Sequence, residues 1–268
     1  MPLRILCVSA PLVTGKIAVI GGCREYTGAP FFAAFSALKL VSASHAGLGR
    51  DSLLQECVAD IMSAARQARI PMVIDADGLH LVSNQPHLIA GYPLAILTPN
   101  VNEFARLSQV VASQRDSTAA PAAAAAVSSG PSNPGSSLAQ LAADLGRVTI
   151  VQKGAADGIS DGNAVFECGL FGSPRRCGGQ GDVLSGSIAV FFVWARKWQQ
   201  RLQEEQQQGG GSSDAEMQQL VAEQLSDNPA VMAAFAGSLV VRRAAADAFA
   251  KHKRSMTTTN IIDCLGDW

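Results

Sequence analysis

Short apolar runs alternate with amphipathic stretches along most of this chain. Lys16–Ile20, followed by Gly21-Gly22, reads as a buried strand ending in a turn. Tyr26–Pro30 opens a helix through about Leu40, with Pro30 in its first turn. Pro71–Asp75, Ala95–Leu97 and Val148–Val151 are further short buried strands. Between them lie helical patterns from Asp51 to about Arg69, at Leu79–Val82, after Thr98-Pro99-Asn100, and at Leu138–Leu145. Gly158–Glu167, with Asp161-Gly162 at its centre, is a hairpin by turn chemistry. Val183–Ala195 is apolar nearly all round and predicts a buried helix, with Trp194 and Trp198 as packing residues. Pro229–Phe249 is an alanine-rich helix able to pack closely, and Thr257-Thr258-Thr259 caps a last short one. Strand–helix alternation of this kind predicts an α/β fold.

The alternation fails once. The helix ending near Val41 is followed by Ser42–Gly49 and then directly by the helical pattern from Asp51, with no strand expected between them. Two biased stretches also interrupt the pattern. Ala112–Ser137 is rich in Ala, Ser, Pro and Gly, and Gln199–Asp214 in Gln and then Gly; both read as low-complexity surface insertions.

Bulk properties narrow the class. The 268 residues suffice for one α/β domain, and 48% hydrophobic with 16% charged residues fits a well-packed enzyme. A net charge of −1 gives no field directed at nucleic acid or an anionic membrane. The six cysteines and four histidines are scattered without metal-ligand spacing, which predicts a reducing compartment and no zinc site. No apolar run reaches the roughly 18–20 residues of a membrane span. Met1–Leu12 is weaker than a signal or transit peptide, so a cytoplasmic enzyme is expected.

The densest chemistry lies at Gly172–Gly186. Gly178, Gly179 and Gly181 clear side chains from a turn that runs into an apolar helix. The first N–H groups of a helix lack internal partners and carry positive potential, which makes an anion site. Arg175 and Arg176 stand just upstream to clamp phosphate oxygens. Asp182, at the mouth of that pocket, is either a plain helix-start residue or a base aimed at a hydroxyl beside a phosphate. Lys153, after a strand and before Gly154, is a phosphate partner or a solvated lysine. Asn100 and Glu103 are a helix cap or site residues, and Asp75 and Asp77 bind metal or sugar hydroxyls or cap a helix.

Arg175–Gly186 resembles the signature of the NAD(P)H-hydrate dehydratases, a branch of the ribokinase-like superfamily. Gly21–Pro30 is similar to that family's Gly-Gly-x-x-Glu-Tyr-Thr-Gly-Ala-Pro hallmark, Thr98–Phe104 to its Thr-Pro-Asn-x-x-Glu-Phe motif, and Lys153–Asp157 to its Lys-Gly-x-x-Asp motif. Of the family's Gly-Pro-Gly-Leu-Gly-Arg turn only Ala46–Arg50 survives, so several dozen residues are missing at about 42–46.

The resemblance implies a single ribokinase-like domain over 1–268, with a central, mainly parallel sheet flanked by helices and some strands absent. It implies ATP binding by Lys153, Gly154, Ala155, Ala156 and Asp157, and by the loop Gly172, Ser173, Pro174, Arg175, Arg176, Cys177, Gly178, Gly179, Gln180 and Gly181. The hairpin after Asp157 would flank an adenine pocket. Gly47, Gly49, Asn100, Val101, Asn102, Glu103, Phe104, Ala105, Arg106 and Asp182 would bind the hydrate, with Asp182 catalytic and Glu103 supporting magnesium. Gly237 resembles the small position where a helix nears the nucleotide.

The implied reaction is ATP- and Mg²⁺-dependent dehydration of (S)-NADHX and (S)-NADPHX, by an enzyme that can form homo-oligomers. ATP is expected over ADP because Ser173–Asp182 is closer to eukaryotic members. The alternatives are a ribokinase-like alcohol kinase and a catalytically impaired nucleotide-binding remnant.

Overall fold

The computed structural model describes residues 17–20, 28–40, 43–46, 52–118, 134–207 and 228–267. Gly21–Thr27, Gly47, Gly49 and Arg50 lie outside them, as do 119–133 and 208–227 within the two biased stretches. By internal contacts the described residues fall into two compact units. One is Gln55–Gly169; the other comprises described residues of Met1–Leu54 and of Leu170–Trp268.

The first unit is built on a five-stranded sheet. Its strands are β3 (Met72–Ile74), β4 (Ala95–Leu97), β5 (Thr149–Gln152), β6 (Asp157–Ser160) and β7 (Val165–Cys168), hydrogen-bonded in that order. The first three are parallel, with Met72 opposite Ala95 and Ile96 opposite Thr149. Ala95, Ile96, Leu97, Ile150 and Val151 are fully buried, as the unbroken apolar runs of parallel strands require. β6 and β7 extend the sheet antiparallel, and Gly162 takes the positive φ (90°) that their tight turn needs. The expected hairpin is therefore present.

Helices α2 (Ser52–Gln67), α3 (Asp77–Asn84), α4 (Val101–Thr118) and α5 (Pro134–Asp144) belong to this part of the chain. Their apolar faces supply Met62, Leu79, Leu107, Leu138 and Leu141 to one core with Ile74, Leu97 and Ile150. α4 and α5 both extend into 112–137, so the ends of that stretch are helical, with residues 112–115 exposed.

The second unit contains β1 (Ile17–Ile20), α1 (Gly28–Leu40) and β2 (Ala43–Ala46). β2 corrects the sequence reading: a strand does follow α1, and it pairs parallel with β1, Ile17 opposite Ala43. Ala-Ser-His-Ala has no β-branched residue to announce it, and pairing with β1 makes the strand. Among the described residues three further α-helices follow, α6 (Gln180–Gln207), α7 (Pro229–His252) and α8 (Thr258–Asp263).

α6 is longer than its apolar segment predicts. Gln199–Gln207 continues the helix with Leu202 buried, because Gln, Glu and Arg are good helix formers. Trp194 stays partly exposed, edge-on to Phe191 at 5.5 Å. α7 starts on Asn228, whose side chain accepts from Ala230 N–H at 2.9 Å, with Pro229 following. Pro229–Ser255 is by length and mean hydropathy able to span a bilayer, yet half of its most apolar window is buried within the protein. Its alanine face packs on α6 instead.

Candidate active site

The glycine loop ahead of α6 is held from below by the end of α7 and the start of α8. Arg175 donates through its guanidinium to the Arg254 carbonyl. Cys177 Sγ lies 3.3 Å from the Met256 carbonyl oxygen, and Thr258 donates its hydroxyl to the Gly178 carbonyl. Within the loop, Ser173 Oγ accepts from Arg175 N–H at 3.1 Å. Thr258 is itself the first residue of α8, which a reciprocal cap between Thr257 and Asn260 starts. Sequence reasoning found that cap but missed its purpose in bracing the loop.

Gly179 has φ 89°, and a Cβ there would come within 2.5 Å of the Phe32 ring. That position needs glycine for both reasons. Its carbonyl accepts the N–H of Val183 at 3.1 Å, the first turn of α6. Gln180 folds back to accept from Cys177 N–H at 3.4 Å. A Cβ on Gly178 would meet nothing within 4 Å, so the loop presents open backbone there.

Asp182 sits in the first turn of α6, half-buried. A carboxylate at that place is stabilised by the helix dipole, which fits the plain helix-start role. Arg176, upstream in the loop, is exposed, as is Arg175, whose guanidinium donates to the Arg254 carbonyl.

Lys153 and its neighbours form a separate group at the carboxyl end of the five-stranded sheet. Lys153 is neither solvated nor free. Its Nζ donates to Asp75 Oδ1 at 2.7 Å, with side chains only 21% and 14% exposed. Asp75 stood out as an acid at a strand end, yet no local signal pairs it with a residue 78 positions away. Gly154 N–H donates to Asp157 Oδ1 at 3.1 Å, which closes the Lys153–Asp157 turn around a buried carboxylate.

A cleft of about 220 Å³ opens beside that turn. Val101, Leu138 and Phe166 give it apolar walls, and Gln152, Lys153 and Glu167 give it polar ones. That size suits one moiety of a larger ligand, since whole drug-sized ligands take roughly 300–1,000 Å³.

Asn100 and Glu103 cap α4 reciprocally. Asn100 Oδ1 accepts from the N–H groups of Asn102 and Glu103 at 3.0 Å each, and Glu103 Oε2 accepts from Asn100 N–H at 2.8 Å. Val101, Asn102, Ala105 and Arg106 are exposed along the first turns of α4. Phe104 differs from its expected place: it is buried in the core with Leu107, as its position three residues before Leu107 on one helical face dictates. Among the described residues no three metal-ligating side chains gather. Glu103, the acid that resemblance links to magnesium, has Oε2 engaged by Asn100 N–H in the α4 cap.

Gly237 approaches α6 rather than open space. A Cβ there would come within 2.5 Å of Ile188 Cγ1 and 3.1 Å of its backbone, so helix packing already accounts for the small residue.

The family model described as NAD(P)H-hydrate dehydratase matches residues 45–266. The ATP-dependent (S)-NAD(P)H-hydrate dehydratase of Physcomitrium patens is 42% identical, over 94% of this chain and 88% of the relative. That of Vitis vinifera is 40% identical, over 94% and 80%.

The Physcomitrium alignment runs over 322 positions, although this chain has 268 residues, so several dozen positions of the relative have no counterpart here. The family match takes up at residue 45, within β2.

Among solved structures, a ribokinase-like superfamily protein from Enterococcus faecalis superposes with a TM-score of 0.62 at 19% identity, covering 94% of this chain and 86% of that one. The fold is thus ribokinase-like, and the chain belongs to the NAD(P)H-hydrate dehydratase family.

Proposed function

We propose that this chain dehydrates (S)-NADHX and (S)-NADPHX to NADH and NADPH at the expense of ATP, releasing ADP and phosphate. The observation that carries this reading is the braced glycine loop running into α6 with Asp182 in its first turn, in a member of the dehydratase family.

The chemistry follows from leaving groups. Hydroxide leaves the reduced nicotinamide ring poorly, whereas phosphate leaves well under the push of the ring nitrogen, and the adjacent ring carbon then gives up a proton to restore the double bond. Asp182 takes the proton of the hydroxyl as its oxygen attacks the γ-phosphorus. The N–H groups at the start of α6 and around Gly178–Gly181 stabilise charge on the moving phosphoryl group. Arg176, Arg175 and Lys153 hold nucleotide phosphates. Mg²⁺ arriving with the nucleotide would neutralise phosphate charge, and Glu103 is the residue that would support it.

The cleft beside Lys153–Asp157 takes the adenine against Val101, Leu138 and Phe166. Gly47, Gly49 and the exposed face Asn100–Arg106 line the hydrate, with Phe104 anchoring that face from within.

The positions missing relative to the Physcomitrium protein favour a second reading, a nucleotide-binding remnant. Absorbance of reduced nicotinamide separates the two. With hydrate, Mg²⁺ and ATP the signal rises, and with ADP in place of ATP it does not. Nucleotide binding without any rise selects the remnant, and a stable phosphorylated product selects an alcohol kinase.

A further inference from the structure

Asp75 and Lys153 bridge the carboxyl ends of β3 and β5 across the end of β4. The Lys153 backbone is fixed there, its N–H donating to the Pro99 carbonyl at 2.8 Å. Asp75 is fixed too, since the same Oδ1 that receives the ammonium accepts Ala76 N–H at 2.9 Å. Ala76 pays for that aim with φ 48° and ψ −114°, a backbone state that non-glycine residues avoid. A strained residue immediately after a largely buried carboxylate indicates that its direction is constrained.

Lysine is a flexible point charge with three donors. One is spent on Asp75, which leaves two to face the cleft that Lys153 lines with Gln152 and Gly154. The geometry points to Asp75 as a positioning residue: it holds the Lys153 ammonium at the cleft, so that an incoming nucleotide phosphate meets an ordered cation. This inference rests on the ATP reading above. Asp75 touches no nucleotide itself and acts through Lys153 alone.

The test is a double-mutant cycle on ATP binding, measured by titration calorimetry with Mg²⁺ on the full chain. Asp75→Ala and Lys153→Met each weaken ATP binding by about tenfold, the scale of one charge-assisted hydrogen bond. Their combination is no weaker than Lys153→Met alone. Asp75→Asn keeps the acceptor for Ala76 and serves if Asp75→Ala does not fold, and the double variant buries no unpaired charge.

Equal weakening by the Asp75 substitution with and without Lys153 would show a general structural role and overturn the inference. Unchanged or tighter ATP binding in both Asp75 variants would overturn it as well. A wild-type chain that bound no ATP would overturn the ATP reading and this inference together, whereas ATP binding indifferent to Asp75 overturns this inference alone.

Discussion

Gly186 of α6 lies against the carbonyl of Ala33 in α1 so closely that a Cβ built on it would overlap the carbonyl oxygen. The Ala33 carbonyl carbon and Cα would be 3.0 and 3.1 Å away. Two helices approach here at a separation that only glycine permits. The obstacle is backbone, which cannot swing aside like a side-chain tip. Gly186→Ala is therefore expected to destabilise the protein by about 3 kcal/mol in a urea titration. A loss below about 0.5 kcal/mol would mean that α1 and α6 slide apart freely, well under the usual cost of overpacking.

Gly237→Ala tests the same logic with a softer obstacle. Its nearest neighbour is the Ile188 side chain, and the Ile188 backbone stands off at 3.1 Å. Its expected cost is about 1–2 kcal/mol, less than at Gly186. ATP affinity in the folded variant should stay within about twofold, since helix packing explains this glycine. A larger loss of affinity with little loss of stability would restore the nucleotide-facing role that family resemblance implies.

Arg66, near the end of α2, gives a third prediction. Its guanidinium donates to the carbonyls of His87, Leu88 and Ala90 at 3.1, 3.3 and 2.8 Å and lies over the Tyr92 ring at 5.8 Å. Arg66→Met leaves these carbonyls without that donor and should cost about 2 kcal/mol. Arg66→Lys should recover little, because one ammonium cannot span three acceptors as a planar fork does. Denaturant titration of both variants decides; full recovery by lysine would mean that charge alone matters.

These packing relations mark where sequence reasoning succeeds and stops. The strands Met72–Ile74, Ala95–Leu97 and Thr149–Gln152 were legible because parallel strands buried on both faces are unbroken apolar runs. The Asp161-Gly162 turn and the Asn100–Glu103 cap were legible because each is local chemistry at fixed spacing. Ala43–Ala46 was not, since its strand state comes from pairing with Ile17–Ile20 rather than from its own residues. The glutamine run was misjudged by composition, although the same residues carry high helix propensity. The Asp75–Lys153 pair and the bracing of Gly178 by Thr258 join residues roughly eighty positions apart, and no local pattern encodes such a contact.

Asp182→Asn carries the last prediction. Asparagine keeps the size of the side chain and an acceptor in the first turn of α6, while the negative charge and the proton-accepting group are lost. Removing the charge from the helix start should cost about 0.3–1 kcal/mol of stability, so the variant stays folded. ATP binding should stay within a few-fold, since the loop N–H groups and cations that meet phosphate are untouched. Turnover should fall by about 10²–10⁴ at least, the contribution of a positioned general base. Calorimetry for binding and reduced-nicotinamide absorbance for turnover separate these outcomes. Undiminished turnover would reduce Asp182 to a helix-start residue and move the search for the base elsewhere. Loss of ATP binding together with turnover would instead make it a structural support of the loop.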